Sequence, residues 1–449
     1  MNSTQCLDKL AALGHELRGV KFDLESIQAI LESLGNPQRE YPTAIVAGTN
    51  GKGSTSAMLA SILISAGYRV GLYTSPHLVR VHERIRVNQR EISDQDFASA
   101  FTEVWQTVDC LLETKRLANR PSFFEFLTAT AFLHFARQKI DFAVLEVGMG
   151  GRLDATNVTE PRVAVITNVE LDHQEFLGST YAAIASEKAG VIKPKRPVIS
   201  GCENPEAIEV IRRRVAELDA PLIELSKAAR ISHVSSLGGQ YSFDLCLEGE
   251  QFSNLISPLI GRFQIKNTVA AFAAAWRLKR EGLNIPRSAI AEGLAATSWP
   301  GRLEVICDHP LVVLDGAHNP AAAGEIAAHI KSHWRGRHVR LVYASMRDKA
   351  IAEISEILFP LAGELYLTHT EQARAATPVE ILGGARDRPR SVVIEPDPIQ
   401  AIERAFRESS PDDVLLVTGS LFLVGAVRRA ILMKQLDLEN TATVGSQVC

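Results

Sequence analysis

The segment Gly48-Thr49-Asn50-Gly51-Lys52-Gly53-Ser54-Thr55 follows the β-branched run Thr43–Ala47 and leads directly into a helical pattern. Glycines there let backbone N–H groups curl around phosphate oxygens, a helix N-terminus adds partial positive charge, and Lys52 reaches the outer phosphates. The bland alternative is a strand-to-helix turn capped by Ser54; the lysine inside the loop favours a nucleotide site. Gly53 departs from the general G-x-x-x-x-G-K-[ST] pattern by separating Lys52 from the hydroxyl residues. Glu146 ends the run Phe142–Val147 beside Gly148-Met149-Gly150-Gly151, where a carboxylate suits Mg²⁺ shared with ATP phosphates. Asp172-His173 comes just past Val163–Thr167, so His173 reads either as a hydrogen-bonded histidine or as a ligand. Lys188 falls in the last turn of a helix running from Thr180 to Gly190, where a cation balances the helix dipole. Ser122-Phe123-Phe124-Glu125 fits a capping box, and Asn319-Pro320 fits a cap followed by proline at the first helical position.

These residues need a scaffold that brings loop ends together. Thr43–Ala47, Val70–Thr74, Phe142–Val147, Val163–Thr167 and Val198–Gly201 read as buried strands of a mostly parallel sheet. Between them, Met58, Leu59, Ile62 and Leu63 mark one helix face, and Phe124, Leu127, Ala131 and Phe135 mark another. The fold class is α/β, doubly wound. From Ile231 to Leu259 the helical period lapses, and alternation at Tyr241–Leu247 predicts a small antiparallel excursion. The pattern breaks at Trp299-Pro300-Gly301, after which Leu311–Asp315, Val339–Ala344, Glu364–Thr368, Val392–Ile394 and Val414–Thr418 predict a second, Rossmann-like α/β unit. The expected division is residues 1–300 and 301–449.

The chain has 449 residues, 46% hydrophobic and 22% charged, which excludes a disordered protein and leaves room for two or three domains. Net charge is -4 and the basic clusters are short, so no nucleic-acid partner is expected. Met1–Arg18 lacks the apolar core of a signal peptide, and no window is apolar enough for a membrane span. Six dispersed cysteines without C-x-x-C argue against a zinc cluster or disulfide framework and for a reducing cytoplasm.

The loop, together with Ser75-Pro76-His77-Leu78, Glu83-Arg84-Ile85, Glu146–Asn157, Leu171-Asp172-His173, Glu187-Lys188-Ala189-Gly190, Pro300–Glu304, Asp315–Pro320 and Thr418–Leu421, resembles the motif series of folylpolyglutamate and dihydrofolate synthases. That family is the folate branch of the Mur ligase superfamily, and the likeness runs from about Phe22 to Arg428. The resemblance implies a Mur-ligase-like ATP-binding domain and C-terminal domain, ATP as cosubstrate and two Mg²⁺ ions. It implies Ser75, Glu146 and His173 as metal ligands and a carbamylated Lys188. ATP contacts carry onto Thr49, Asn50, Gly51, Lys52, Gly53, Ser54, Asn267, Arg302 and Asp315. A dihydropteroate pocket carries onto Val20, Lys21, Phe22, Ser122, Phe123, Phe124, Leu153, Asp154 and Ala155, although Asp23 stands where the family usually has glycine.

The expected activity is ligation of L-glutamate to a pteroate or folate carboxylate through an acyl phosphate, with ADP and phosphate released. Lys52 would balance phosphate charge, while His318, Asp315 and Ser420 would serve glutamate and the reacting groups from the second unit. The partners are small molecules and the chain is expected to act as a monomer. A peptidoglycan-precursor ligase is the nearest alternative, but only a short segment precedes the loop and a UDP-sugar domain has no room there. A P-loop ATPase switch is the alternative from another class.

Overall fold

The structure is a computed structural model that describes residues 1–14, 23–387, 389, 391–436 and 438. Its first sheet holds β1 (Thr43–Ala47), β2 (Val70–Tyr73), β3 (Ile85–Val87), β4 (Arg90–Glu91), β5 (Phe142–Glu146), β6 (Val163–Ile166), β7 (Val198–Ser200) and β8 (Leu222–Glu224). The spatial order is β4-β3-β2-β5-β1-β6-β7-β8; only β3 and β4 run antiparallel to their neighbours. From β1 the chain crosses to β2 on one side, and from β6 it proceeds through β7 and β8 on the other. The carboxyl ends of β1, β5 and β6 therefore flank a topological switch point, the place where open α/β sheets bind ligands.

β1 and β5 are buried at every position, as strands covered on both faces must be. The Lys52–Ser65 helix starts well before Met58, the first residue of its apolar stripe, with Gly51 and not Ser54 at its N-cap, and is buried on almost all sides. The reason is tertiary: the Gln264–Arg280 and Arg287–Ala295 helices cover its outer face. Gly293 makes that approach possible, since a Cβ there would lie 2.4 Å from the Ile62 Cα.

The expected antiparallel excursion is a three-stranded sheet of β9 (Ala229–Leu237), β10 (Gln240–Leu247) and β11 (Glu250–Ser257), ordered β11-β10-β9. Tyr241, Phe243, Leu245 and Leu247 alternate inward along β10. Phe252 packs edge-on against Phe272 and Trp276 of the long helix, with ring centroids at 4.6 and 5.0 Å.

The third sheet contains β12 (Glu304–Asp308), β13 (Leu311–Leu314), β14 (Val339–Tyr343), β15 (Glu364–Leu367), β16 (Ser391–Ile394) and β17 (Val414–Thr418), in the order β12-β13-β17-β14-β15-β16. All five strands anticipated from the sequence are present and parallel, with β12 added antiparallel at one edge. Each half has its own apolar clusters. Among the described residues no helix is long and apolar enough to cross a membrane, and no disulfide is present.

Candidate active site

The phosphate loop is built by its neighbours as much as by its own sequence. Asn168, beyond β6, accepts the N–H groups of Thr49 and Asn50 at 3.1 and 2.9 Å, and the Thr167 hydroxyl donates to the Asn50 carbonyl at 2.7 Å. Gly51 has φ +80°, and a Cβ there would sit 2.2 Å from Asn267 Oδ1, so glycine is required twice over. The first internal helix bond runs from Thr55 N–H to the Gly51 carbonyl, at 2.9 Å. Among the described residues, the N–H groups of Gly51, Lys52, Gly53 and Ser54 therefore point out of the helix start without a backbone acceptor, as an anion site requires. Lys52 Nζ folds back onto the Gly48 and Thr49 carbonyls at 3.0 Å each. Burial pushes its pKa down, opposed by Glu146.

Glu146 lies at the end of β5 with Oε2 accepting the Ser75 N–H at 3.1 Å. Burial raises its pKa to about 7, against the pull of Lys52. Such a carboxylate lacks a sufficient counter-charge. The Ser54 and Thr55 hydroxyls are buried without any partner, and burial, then Lys349, lowers His173 to about 4, keeping its imidazole neutral. A hydroxyl, an under-compensated carboxylate and a neutral imidazole fit a divalent cation shared with phosphate. His173 itself adopts φ +51°, a conformation uncommon for a residue with a Cβ.

As expected, Lys188 sits in the last turn of a helix, Tyr181–Ala189, whose N-terminus the Thr180 side chain caps. It is 3% exposed, and burial together with the Lys52 charge lowers its pKa to about 7. A solvated dipole-balancing cation does not fit that environment.

The pterin-side expectations divide. Ser122 and Glu125 form the capping box, with the Ser122 N–H donating to Glu125 at 2.8 Å, and Phe124 packs over Gly148 on the cleft wall. Phe123 is instead turned into the core, beneath the Arg84 guanidinium at 5.3 Å, so it does not line the cleft. The Asp154 carboxylate is committed to its own loop: it accepts the N–H groups of Gly148, Met149 and Thr156 and the Thr156 hydroxyl. Leu153 and Ala155 flank it on the wall. Val20, Lys21 and Phe22 lie outside the described residues.

From the other half, Arg302, Asp315, His318 and Ser420 reach the same cleft, whose cavity volume is about 410 Å³, a size suited to small-molecule ligands. Asp315 is buried, with burial raising its pKa against Arg302; its two oxygens accept the Leu303 and Ala317 N–H groups, each at 2.8 Å. That makes it a rigid wall rather than a free base. His318 Nδ1 lies 2.8 Å from the Gly316 carbonyl, so Nδ1 is the donor and Nε2 faces the cleft and Asp172. Ser420 caps the Leu421–Leu432 helix by accepting the Phe422 N–H at 3.2 Å.

Three contributors were missed by sequence reasoning: Asn168, Lys349 and the Asp172 side chain. Asp172 Oδ1 accepts from Lys349 Nζ at 2.8 Å, and Asn319 donates to both Asn50 and Asp172. Burial would raise the Asp172 carboxyl, but His318 and Lys349 hold it well below the usual carboxylate range. The only early signal was the adjacency of Asp172 to His173.

The chain matches the Mur ligase middle domain over residues 46–275 and the Mur ligase glutamate ligase domain over residues 301–421. A dihydrofolate synthase/folylpolyglutamate synthase of Bacillus subtilis (strain 168) is 34% identical over 415 residues, covering 92% of this chain and 96% of the relative. The structure of E. coli FolC in complex with DHPP and ADP superposes with a TM-score of 0.86 at 31% identity, covering 97% and 99% of the two chains. A bifunctional folylpolyglutamate synthase/dihydrofolate synthase from Yersinia pestis, complexed with AMPPNP and Mn ion, gives 0.83 at 31% identity and covers 96% and 98%. The chain belongs to the Mur ligase family, in its folylpolyglutamate synthase/dihydrofolate synthase branch.

Proposed function

We propose that the protein is an ATP-dependent ligase that joins L-glutamate to dihydropteroate, to folates, or to both, releasing ADP and phosphate. The observation that carries this reading is the convergence of the phosphate loop, Glu146 and Lys188 from one half with Asp315, His318 and Ser420 from the other in one cleft. What the matched relatives bind agrees with it. We divide the chain into domains at about residue 300, and infer a cytoplasmic monomer.

The unreactive carboxylate of the pteroate or folate attacks the γ phosphorus of ATP, the bond to the bridging oxygen breaks, and ADP leaves. The acyl phosphate so formed is a good electrophile. The free N–H groups of residues 51–54 and Lys52 neutralise charge spread over the equatorial oxygens. Ser75, Glu146 and His173 would hold Mg²⁺, with the orphaned Ser54 hydroxyl beside the phosphates; the ion supplies further charge neutralisation when bound. Asn267, Arg302 and Asp315 line the rest of the nucleotide site. Phe124 offers a ring face to the pterin, with Ser122, Leu153 and Ala155 completing the wall.

Glutamate's amine then attacks the acyl carbon, phosphate departs, and the nitrogen must lose a proton. His318 Nε2 is placed to accept it, because the Gly316 carbonyl holds the other ring nitrogen as donor. Lys188, with its pKa lowered to about 7, has a neutral amine population able to attack CO₂, lose a proton and become a carbamate. That change would replace a buried positive charge beside Lys52 with a negative one.

The decisive assay follows ADP release with dihydropteroate and with reduced folates in parallel, each with and without L-glutamate. Glutamate-dependent turnover with either acceptor is expected. ATP hydrolysis indifferent to both substrates would mark a switch ATPase, and turnover only with a UDP-linked peptidoglycan precursor would mark the other Mur ligases.

A further inference from the structure

Asp172 belongs to the first half by sequence, where it meets the adjacent His173 through the N–H (2.9 Å) and the ring (Nε2 at 4.0 Å), yet its other hydrogen-bonding and ion-pair partners come from the second half. Oδ1 accepts from Lys349 Nζ at 2.8 Å, while Oδ2 accepts from Asn319 Nδ2 at 3.3 Å and lies 3.7 Å from His318 Nε2. The Asp172 and Lys349 side chains are 10% and 9% exposed, so the pair is largely removed from water where the two halves meet. Lys349 is not a wandering surface lysine. It ends the turn after β14, pinned by its own N–H to the Met346 carbonyl (3.2 Å), by the Met346–Ala375 bridge and by the bidentate Arg347–Glu380 pair.

Asn319 carries the same connection into the phosphate loop. Its amide nitrogen donates to Asn50 Oδ1 at 2.9 Å as well as to Asp172, while its oxygen caps the Pro320–His333 helix at Ala322 (2.9 Å). One side chain thus contacts the nucleotide loop, the buried carboxylate and a helix of the opposite half. Closure that buries a charge pair forms its contacts as a unit, because either charge left alone in the interface is penalised.

We propose that Asp172 and Lys349 are positioning residues that form a closure latch across the cleft, with Asn319 coupling that latch to the conformation of the phosphate loop. The latch holds His318 and Ser420 within reach of groups bound by the first half, and releasing it opens the cleft for exchange of substrates. Its kinetic consequences rest on the ligase reading above; its conformational consequence does not.

Small-angle scattering on the full, nucleotide-free chain tests the latch. Lys349→Met should enlarge the radius of gyration relative to the parent, and Lys349→Arg should restore it. In a double-mutant cycle, adding Asp172→Asn to Lys349→Met should lower the melting temperature no further than Lys349→Met alone. In steady state, Lys349→Met should reduce kcat roughly 10- to 100-fold through misalignment, and Lys349→Arg should recover most of that loss. An unchanged radius with a rise confined to the KM for glutamate would overturn the latch and make Lys349 a substrate contact. Should Lys349→Met fail to fold, Asn319→Ser decides: it keeps the helix cap but severs the amide bridge, so expansion supports the latch and an unchanged radius refutes it. Expansion in a protein inactive with every folate would leave the latch standing and remove the ligase reading.

Discussion

The side-chain amides of Asn50 and Asn319 donate to one another, at 3.3 and 2.9 Å, across the boundary between the two halves. Asn50 sits in the Gly48–Ser54 loop and Asn319 caps a helix of the other half, so that loop and the second half are aligned by direct contact. The following expectations depend on that alignment and on the buried charges around it.

Lys52→Ala should fold normally and lose ligation by a factor of about 10² to 10³, the scale expected when one preorganised charge partner of the transition state is removed. Circular dichroism and coupled ADP release check both halves of the statement. A well-folded, fully active variant would falsify the phosphate-loop role.

Glu146→Gln should stabilise the metal-free protein above pH 7. The folded carboxyl titrates at about 7, above the unfolded value, so stability is lost as pH rises from the unfolded toward the folded pKa. The variant should avoid a penalty on the order of 3 kcal/mol that is fully developed above about pH 7 and absent at pH 4. Urea midpoints at pH 4 and pH 8 measure it. Mg²⁺ should raise the parent's midpoint at pH 8 more than the variant's; equal responses would remove Glu146 from the metal site.

For Lys188→Ala, activity should fall and be partly restored by a short carboxylic acid that occupies the space of a carbamate. Parent activity should also depend on dissolved CO₂ and should increase as pH rises through about 7, where the amine becomes neutral. Indifference to CO₂, with full activity in the alanine variant, would leave Lys188 with no chemical role.

Gly51→Ala places a Cβ 2.2 Å from Asn267 Oδ1 at φ +80°. We expect a stability loss of about 1 to 3 kcal/mol and a weakened ATP site, since the loop and Asn267 must shift together. Calorimetric titration with ADP, alongside thermal melting, measures each. Unaltered values for both would show that the loop has slack the structure does not display.

His318→Ala should lower the ligation rate with little change in ATP affinity, because the phosphate loop and Glu146 are untouched. If ATP binding collapsed while turnover at saturating ATP stayed normal, His318 would be a nucleotide anchor instead.

Much of the candidate site's placement was legible in the sequence because loops at strand ends carry their residues locally. The Gly48–Ser54 loop, Glu146 at the end of β5 and Lys188 in a last helical turn all lie where alternating strand and helix patterns put them. The long buried strands were equally plain, since sheets covered on both faces demand unbroken apolar runs. The short strands β3, β4, β8 and β12, at or next to sheet edges, were not, because two to five residues with charged members carry no decisive period. Phe123 and Phe124 show a sharper limit: adjacent aromatic residues read alike, yet helix geometry points one into the core and the other onto the cleft. Asp172 was visible only as the residue before His173. Its pairing with Lys349, at a separation of 177 residues, exists because two independently patterned sheets meet at one cleft, and no local periodicity encodes that meeting.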